Sequence, residues 1–176
     1  MKTKFNYSLV SFIMLTFISF SFTNAIAQEK SKKQLKEEAK LEKQKQIATL
    51  VASKEFVFYP QSVSPQGART INITDVSYTM ELHPDLIKSY LPFFGRAYSG
   101  VGYGGDNGMK FEGKPTVYTV EKTKKSYLIK VEVRGERDSY NIMLSVYFEG
   151  NAYLSINSNN RSSISYNGNI KAIQKK

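Results

Sequence analysis

The feature that most constrains the fold is a run of apolar–polar alternation that fills the C-terminal half of the chain. Apolar residues recur at every second position in three successive segments, 127–133, 140–148 and 152–156. Turn-forming residues separate these segments at 135–138 and 149–151. Because alternate side chains of a strand point to opposite faces, the pattern predicts an antiparallel meander with one apolar face.

The meander is expected to continue beyond a turn at 158–161. Ile164 and Tyr166 keep the alternation, and Asn167-Gly168 is a strong hairpin signal, so a turn is predicted there before Ile170. The opposite face is not fully polar, because it carries Leu128, Met143, Tyr147 and Tyr153. We therefore expect a second layer or an N-terminal helix to cover part of that face.

The region before the meander gives weaker signals. A strand is predicted from Phe56 to near Pro60, and a change of parity between Ile73 and Tyr78 predicts a β-bulge or a bend near 74–76. A short helix is expected over 84–90, because Pro84 and Pro92 bracket it.

Together these segments predict a mainly β (α+β) fold with one N-terminal helix. The expected sheet is an antiparallel meander of about seven or eight strands, sandwich-like or curled toward a barrel. Both architectures stay open, since both give evenly spaced alternating strands. The predicted organisation is a signal peptide at 1–27, a charged helical stalk at 28–46 and a single antiparallel β domain at 47–176.

The first 27 residues predict export. Lys2 and Lys4 precede an apolar stretch, and Ala25-Ile26-Ala27 supplies a small-residue cleavage site before Gln28. No Cys follows for lipidation, so the expected location is periplasmic or secreted and not as a lipoprotein. The apolar stretch is short for a membrane span, so no transmembrane span is expected after cleavage.

The charge, Cys and His content of the chain limit the classes of binding partner and cofactor. Removing Lys2 and Lys4 reduces the 25 Lys and Arg to 23, against 15 Asp and Glu, which leaves a net charge of +8. In an exported protein this charge favours anionic envelope polymers or anionic lipid headgroups over nucleic acid. An envelope protein is the other partner considered. The absence of Cys and the single His83 exclude thiolate and multi-His metal sites, and no cofactor is expected.

Residues 90–113 break the surrounding pattern, because glycines alternate there with aromatic residues. One interpretation is a ligand-binding loop in which Tyr98 and Tyr103 offer flat contact surfaces, Phe94 adds apolar area and Arg96 binds an anion. The alternative is a structural segment, in which the Phe residues fill the core and the glycines permit a turn.

Several motifs in or near this segment do not predict chemistry. Gly100, Gly102 and Gly105 spell a dinucleotide-binding pattern, but neither a βαβ unit nor a following helix is visible. Asp106-Asn107-Gly108 lacks calcium-loop spacing. Five carboxylates are candidates for a two-carboxylate hydrolase, but nothing in their spacing selects a pair. They are Asp75, Glu81, Asp106, Glu112 and Glu132.

A family resemblance rests on three blocks of sequence. They are Leu-Pro-Phe-Phe-Gly-Arg-Ala-Tyr at 91–98, Phe-Glu-Gly at 111–113 and Ile-Ser-Tyr-Asn-Gly at 164–168. The chain resembles the bacterial domain-of-unknown-function family 4251 from about residue 47 to residue 170. The resemblance implies an exported envelope protein, and it implies no catalytic residues.

Three functions follow from these observations. The leading hypothesis is a non-catalytic exported binding module that uses segment 90–113. The alternative is a structural or protein-interaction component of the envelope, which contacts partners through a sheet edge or the basic helix. A carboxylate-based hydrolase is a distant third hypothesis, and the chain is not expected to be an enzyme.

Overall fold

The chain divides into two units between Glu42 and Lys43. The computed structural model describes residues 31–98, 108–135 and 138–174, so the predicted signal peptide lies outside the described residues. A helix, α1, covers residues 31–53. In the first unit, every described residue of α1 is solvent-exposed, whereas in the second unit α1 buries Ile47 and Val51.

Ten antiparallel strands follow α1 in the described part of the chain. They are β1 (Phe56–Pro65), β2 (Ile71–Asn72), β3 (Thr79–Leu82), β4 (Ile87–Leu91), β5 (Met109–Gly113), β6 (Pro115–Lys122), β7 (Ser126–Arg134), β8 (Ser139–Tyr147), β9 (Asn151–Ser158) and β10 (Ile164–Ala172). Their order in the single sheet is β5-β4-β3-β1-β10-β9-β8-β7-β6, with β2 paired to β1. The predicted mainly β antiparallel fold is confirmed, with more strands than expected.

The sheet curls into a nearly closed, barrel-like form because its strands share one apolar face. Phe58 of β1, Leu144 of β8 and Leu154 of β9 are completely buried on that inner face. A single sheet can remove such a face from water only by curling on itself or by accepting a cover. Of the two architectures left open by the sequence, the curled sheet is therefore the one found.

The two ends of the sheet are neighbours along the chain. Lys114 alone separates β5 from β6, although β5 pairs with β4 and β6 pairs with β7. At this bend a Cβ on Gly113 would lie 2.7 Å from Cγ1 of Val133, so glycine permits the close approach of β5 to β7. The rings of Phe111 and Tyr140 stack with centroids 3.8 Å apart. Covalent continuity and side-chain packing thus close the sheet where backbone pairing does not.

Two predictions about local structure were wrong, those for 84–90 and for Asn167-Gly168. Of the β-bulge or bend expected near 74–76, the structure has the bend, since a turn at 76–77 separates β2 from β3. The register shift lies instead between Pro60 and Ser62 within β1. The region 84–90 contains β4 instead of a helix. A turn closed by a 2.8 Å hydrogen bond from the His83 N–H to the Leu86 carbonyl leads into that strand. Tertiary burial of alternate residues in β4 outweighs the local signal from the prolines.

The turn predicted at Asn167-Gly168 is also absent, since both residues lie inside the continuous strand β10. Gly168 faces Pro60 across the β1–β10 pair, and a Cβ at this position would lie 2.0 Å from the Tyr59 carbonyl oxygen. Gly168 is therefore required by the close approach of β1 and β10 and not by a turn, and such an approach is a common reason for glycine inside a strand.

The face of the sheet that points away from the core, called here the outer face, is not covered as expected. Met143, Tyr147 and Tyr153 remain 46%, 46% and 40% exposed on it. The C-terminal end of α1 packs against the hydrophobic core instead. A Cβ added to Gly150 would lie 3.0 Å from Cδ1 of Ile47.

Candidate functional site

The segment that follows β4 is anchored to β10 by buried groups. Leu91 and Pro92 are buried, and the hydroxyl of Tyr166 donates a 2.8 Å hydrogen bond to the Pro92 carbonyl. Burial raises the pKa of Tyr166 well above its usual value, with a smaller opposing effect of Arg161, so the hydroxyl keeps its proton. Phe93 packs against the core, as the structural interpretation of the segment expects.

Gly95 permits the chain to turn outward directly after Phe93. A Cβ at this position would lie 2.4 Å from Oγ of Ser162 and 2.6 Å from the Phe93 ring. No larger residue fits without displacing one of these groups, because real Cβ contacts are longer than 3.0 Å. The glycine therefore fixes how the following three residues meet β10.

Residues 96–98 form a short antiparallel contact with residues 160–162. Ala97 and Arg161 form a β-bridge. Ser162 donates its N–H to the Arg96 carbonyl at 2.8 Å, and the N–H of Tyr98 donates to the Asn160 carbonyl at 2.8 Å. The Arg96 N–H donates to Oγ of Ser162 at 3.0 Å. Because residues two apart in an extended chain face the same side, Arg96 and Tyr98 project together.

The side chains carried by this fixed backbone point to solvent. Phe94 is 52% exposed, Tyr98 is 69% exposed, and Arg96 is exposed. The structure thus brings together three of the four predicted site residues, and Tyr103 lies outside the described residues. We call Phe94, Arg96 and Tyr98 the aromatic–arginine surface.

Arg161 supports this surface from below. Its guanidinium lies over the Phe93 ring, 5.3 Å from the centroid, and its Nη1 donates a hydrogen bond to the Gly108 carbonyl. The turn before Arg161 is held by Asp138, whose Oδ1 accepts the Asn159 N–H at 3.1 Å and whose Oδ2 accepts a hydrogen bond from Ser158. Sequence reasoning missed Arg161 and Asp138, because both act across the fold and no local pattern marks them.

The aromatic–arginine surface has the chemistry of a binding site. The guanidinium offers planar, permanently charged donors to a carboxylate or phosphate, and the two rings offer flat apolar contact. A backbone already fixed by hydrogen bonds lowers the entropic cost of binding.

The residues considered for catalysis are placed differently. Glu81 lies 3.7 Å from Nε2 of His83, and Glu112 forms an ion pair with Lys88 in which the carboxylate lies 4.0 Å from Nζ. Both carboxylates are partly exposed to solvent. The Ser77 backbone N–H donates to Asp75 and holds the pKa of that carboxyl below its usual value, which is opposite to the shift a general acid needs.

Glu132 lies on the outer face, and Asp106 lies outside the described residues. In the part of the chain that the structure describes, no group of three His, Asp or Glu side chains could hold a metal ion. In the same part of the chain, no helix combines the length and the apolarity needed to cross a bilayer.

Two hollows on the outer face were not predicted. One, of about 400 Å³, spans β6 to β9 and the other, of about 290 Å³, lies over β1, β10 and β9. Their lining residues are spaced two apart on successive strands, so only the register between strands shows that they share a surface.

Comparison with known proteins extends the resemblance found in the sequence. The family model described as a domain of unknown function (DUF4251) matches residues 38–170. No curated protein matches the chain. The crystal structure of a DUF4251 family protein from Bacteroides eggerthii DSM 20697 is similar, with 17% sequence identity and a TM-score of 0.58. The alignment covers 74% of this chain and 87% of that one, and at this identity it shows a shared fold.

Proposed function

We propose, for a chain that belongs to the DUF4251 family, the role of an exported, non-catalytic binding module that captures an anionic polymer of the cell envelope. The contacts are made by the aromatic–arginine surface. The observation that carries the proposal is the combination of a fixed backbone at 96–98 with exposed side chains at Phe94, Arg96 and Tyr98.

In this segment, one set of residues holds the backbone in place and another set is exposed for contact with a ligand. Phe93, Gly95 and Ser162 pack against one another and hold the segment, whereas the neighbouring Phe94 and Tyr98 leave much of their apolar surface in water. Exposed aromatic side chains add nothing to the core, and next to an arginine they match a ligand that has both charge and apolar area. The net charge of +8 expected after signal cleavage adds long-range attraction for such a ligand.

Binding to purified lipopolysaccharide and lipoteichoic acid, two anionic envelope polymers, tests the proposal. Arg96→Ala and Tyr98→Ala should each abolish binding and leave Tm nearly unchanged, since neither side chain is buried. Arg69→Ala is the matched control, because it removes one charge from an exposed loop elsewhere. Equal binding by all three variants, or a large fall in Tm for Tyr98→Ala, would refute the proposal.

Export is part of this proposal and rests on the predicted signal peptide at 1–27. Cell fractionation should find the protein outside the cytoplasm, and N-terminal sequencing should find Gln28 as the first residue. A cytoplasmic protein that starts at Met1 would remove the envelope from the proposal.

A second candidate function is that of a structural or protein-interaction component of the envelope. It is favoured by the exposed apolar residues of α1, since Leu35 is 62% exposed and Leu41 is 57% exposed. Affinity capture with and without residues 28–46 distinguishes it from the first candidate. If both forms capture the same partners, the part of α1 before Ile47 has no role in the interaction.

Catalysis is not part of either role, and a carboxylate-based hydrolase is the distant alternative. The protein and its His83→Ala variant should both be inactive on a panel of glycosidase and esterase substrates. Turnover that is lost in His83→Ala would replace the binding proposal with an enzymatic one.

A further inference from the structure

The outer face of β1, β10, β9 and β8 carries one charged side chain, Lys171 near the end of β10, although 23% of the residues in the chain are charged. Away from Lys171, the strand register aligns uncharged side chains in two rows, each of which crosses all four strands. One row is Ser64, Ser165, Ser155 and Met143, and the other is Ser62, Asn167, Tyr153 and Ser145. A solvated face that only kept the protein soluble would carry charges, as the rest of this surface does.

The two hollows meet on this face. Met143 lines the larger hollow and lies directly opposite Ser155, which lines the smaller one. The two hollows together extend over six strands, from β6 to β1, which corresponds to about 24 Å at the usual strand spacing. A ligand that fills both must therefore be extended and several units long.

The polar groups of the hollows suit a ligand that both donates and accepts hydrogen bonds. Hydroxyl and carboxamide side chains have donors and acceptors, and here they come from Ser, Thr, Asn and Gln. The larger hollow contains Lys130 and Glu121, which form an ion pair with 3.4 Å between Nζ and Oε1, and also Glu132. Uncharged residues line the smaller hollow. An anionic polymer thus gains no attraction here.

Tyr153 supplies the apolar contact. It lies at the edge of the smaller hollow, 40% exposed, opposite Asn167 on one side and Ser145 on the other. A ring flanked by hydroxyl and amide groups matches a sugar, which has an apolar C–H face and hydroxyl groups around its edge. A protein partner fits less well, because serine is depleted at protein–protein interfaces and dominates here.

We infer that the outer face binds an extended, uncharged oligosaccharide, with Tyr153 stacking on a sugar ring and the Ser and Asn rows accepting and donating hydrogen bonds. This second site uses none of the residues of the aromatic–arginine surface. The inference and the proposed function can therefore fail independently.

Isothermal titration calorimetry with cellohexaose, maltohexaose and mannohexaose as neutral probes tests the inference, and a galacturonate hexamer is the anionic probe. The protein should bind at least one neutral hexasaccharide, and Tyr153→Ala should weaken that binding roughly tenfold. Tyr153→Phe, which keeps the ring, should retain most of it. Tyr90→Ala is the matched control, because Tyr90 is also 40% exposed but lies on β4.

Three results would overturn the inference. The first is no binding of any neutral probe, and the second is binding that Tyr153→Ala leaves unchanged. The third is a homodimer that Tyr153→Ala dissociates, since this would assign the face to a second copy of the chain. If the galacturonate hexamer binds and this binding requires Arg96 but not Tyr153, that ligand belongs to the aromatic–arginine surface. If the galacturonate hexamer binds and no neutral hexasaccharide does, the inference is wrong.

Discussion

The hydroxyl of Tyr166 donates a 2.8 Å hydrogen bond to the main-chain carbonyl of Pro92, across 74 residues of sequence. This bond joins two of the blocks on which the family resemblance rests, 91–98 and 164–168. The first block supplies the exposed aromatic–arginine surface, and the second supplies its buried support. The resemblance therefore marks a single structural unit and not two separate motifs.

Tyr166→Phe should destabilise the protein by about 1–3 kcal/mol, because the Pro92 carbonyl would lose its partner in a buried environment. Urea unfolding measures the change. Tyr147→Phe removes a hydroxyl from a side chain that is 46% exposed and should change the free energy of unfolding by less than about 0.5 kcal/mol. Equal effects of the two substitutions would show that the bond to Pro92 contributes nothing specific.

Gly168→Ala should cost about 3 kcal/mol or more, since the added methyl group would have to push β10 away from the Tyr59 carbonyl. The neighbouring Asn167→Ala, at an exposed position of the same strand, should change stability by less than about 0.5 kcal/mol. Thermal unfolding compares the two variants. A Gly168→Ala protein as stable as the wild type would contradict the close approach of β1 and β10.

Much of the fold follows from local pattern, and the failures have a common cause. The alternation in β7, β8 and β9 predicts those strands, because each buries one face and exposes the other. The turn predicted at Asn167-Gly168 was wrong, because Gly168 is required by the close approach of β1, a strand distant in sequence. The helix predicted after Pro84 was wrong, because burial between β3 and β5 stabilises β4. Neither influence is visible in a short window of sequence.

The sequence names the residues of the candidate site but does not give their arrangement. The aromatic–glycine composition of 90–113 predicts Phe94, Arg96 and Tyr98 as contact residues. All three are exposed in the structure, where hydrogen bonds fix residues 96–98. Sequence alone could not separate Phe93, which packs on the core, from its neighbour Phe94, which is exposed. Gly95 accounts for this difference, because the backbone bends there and passes close to Ser162.

Closure of the sheet between β5 and β8 should appear as energetic coupling between Phe111 and Tyr140. Their rings stack with an interplanar angle of 13°, and such pairs contribute about 0.5–1.5 kcal/mol beyond the burial of their area. A double-mutant cycle with Phe111→Leu and Tyr140→Leu, followed by urea unfolding, measures this coupling. Strictly additive single effects would show that β5 and β8 do not support each other across the closure of the sheet.

Tyr118→Phe should make the protein less sensitive to alkaline pH. The Tyr118 hydroxyl is buried with no hydrogen-bond partner among the described residues, and burial raises its pKa to about 12. The unfolded chain ionises this group at about pH 10, so its contribution to stability is complete below that pH and is lost as pH rises through about 12. The Phe variant lacks this loss and keeps a ring beneath Nζ of Lys54, which lies 4.8 Å from the ring centroid. Unfolding free energies of both proteins should therefore diverge in favour of the variant between about pH 10 and pH 12, and parallel curves would show that Tyr118 titrates as it does in water.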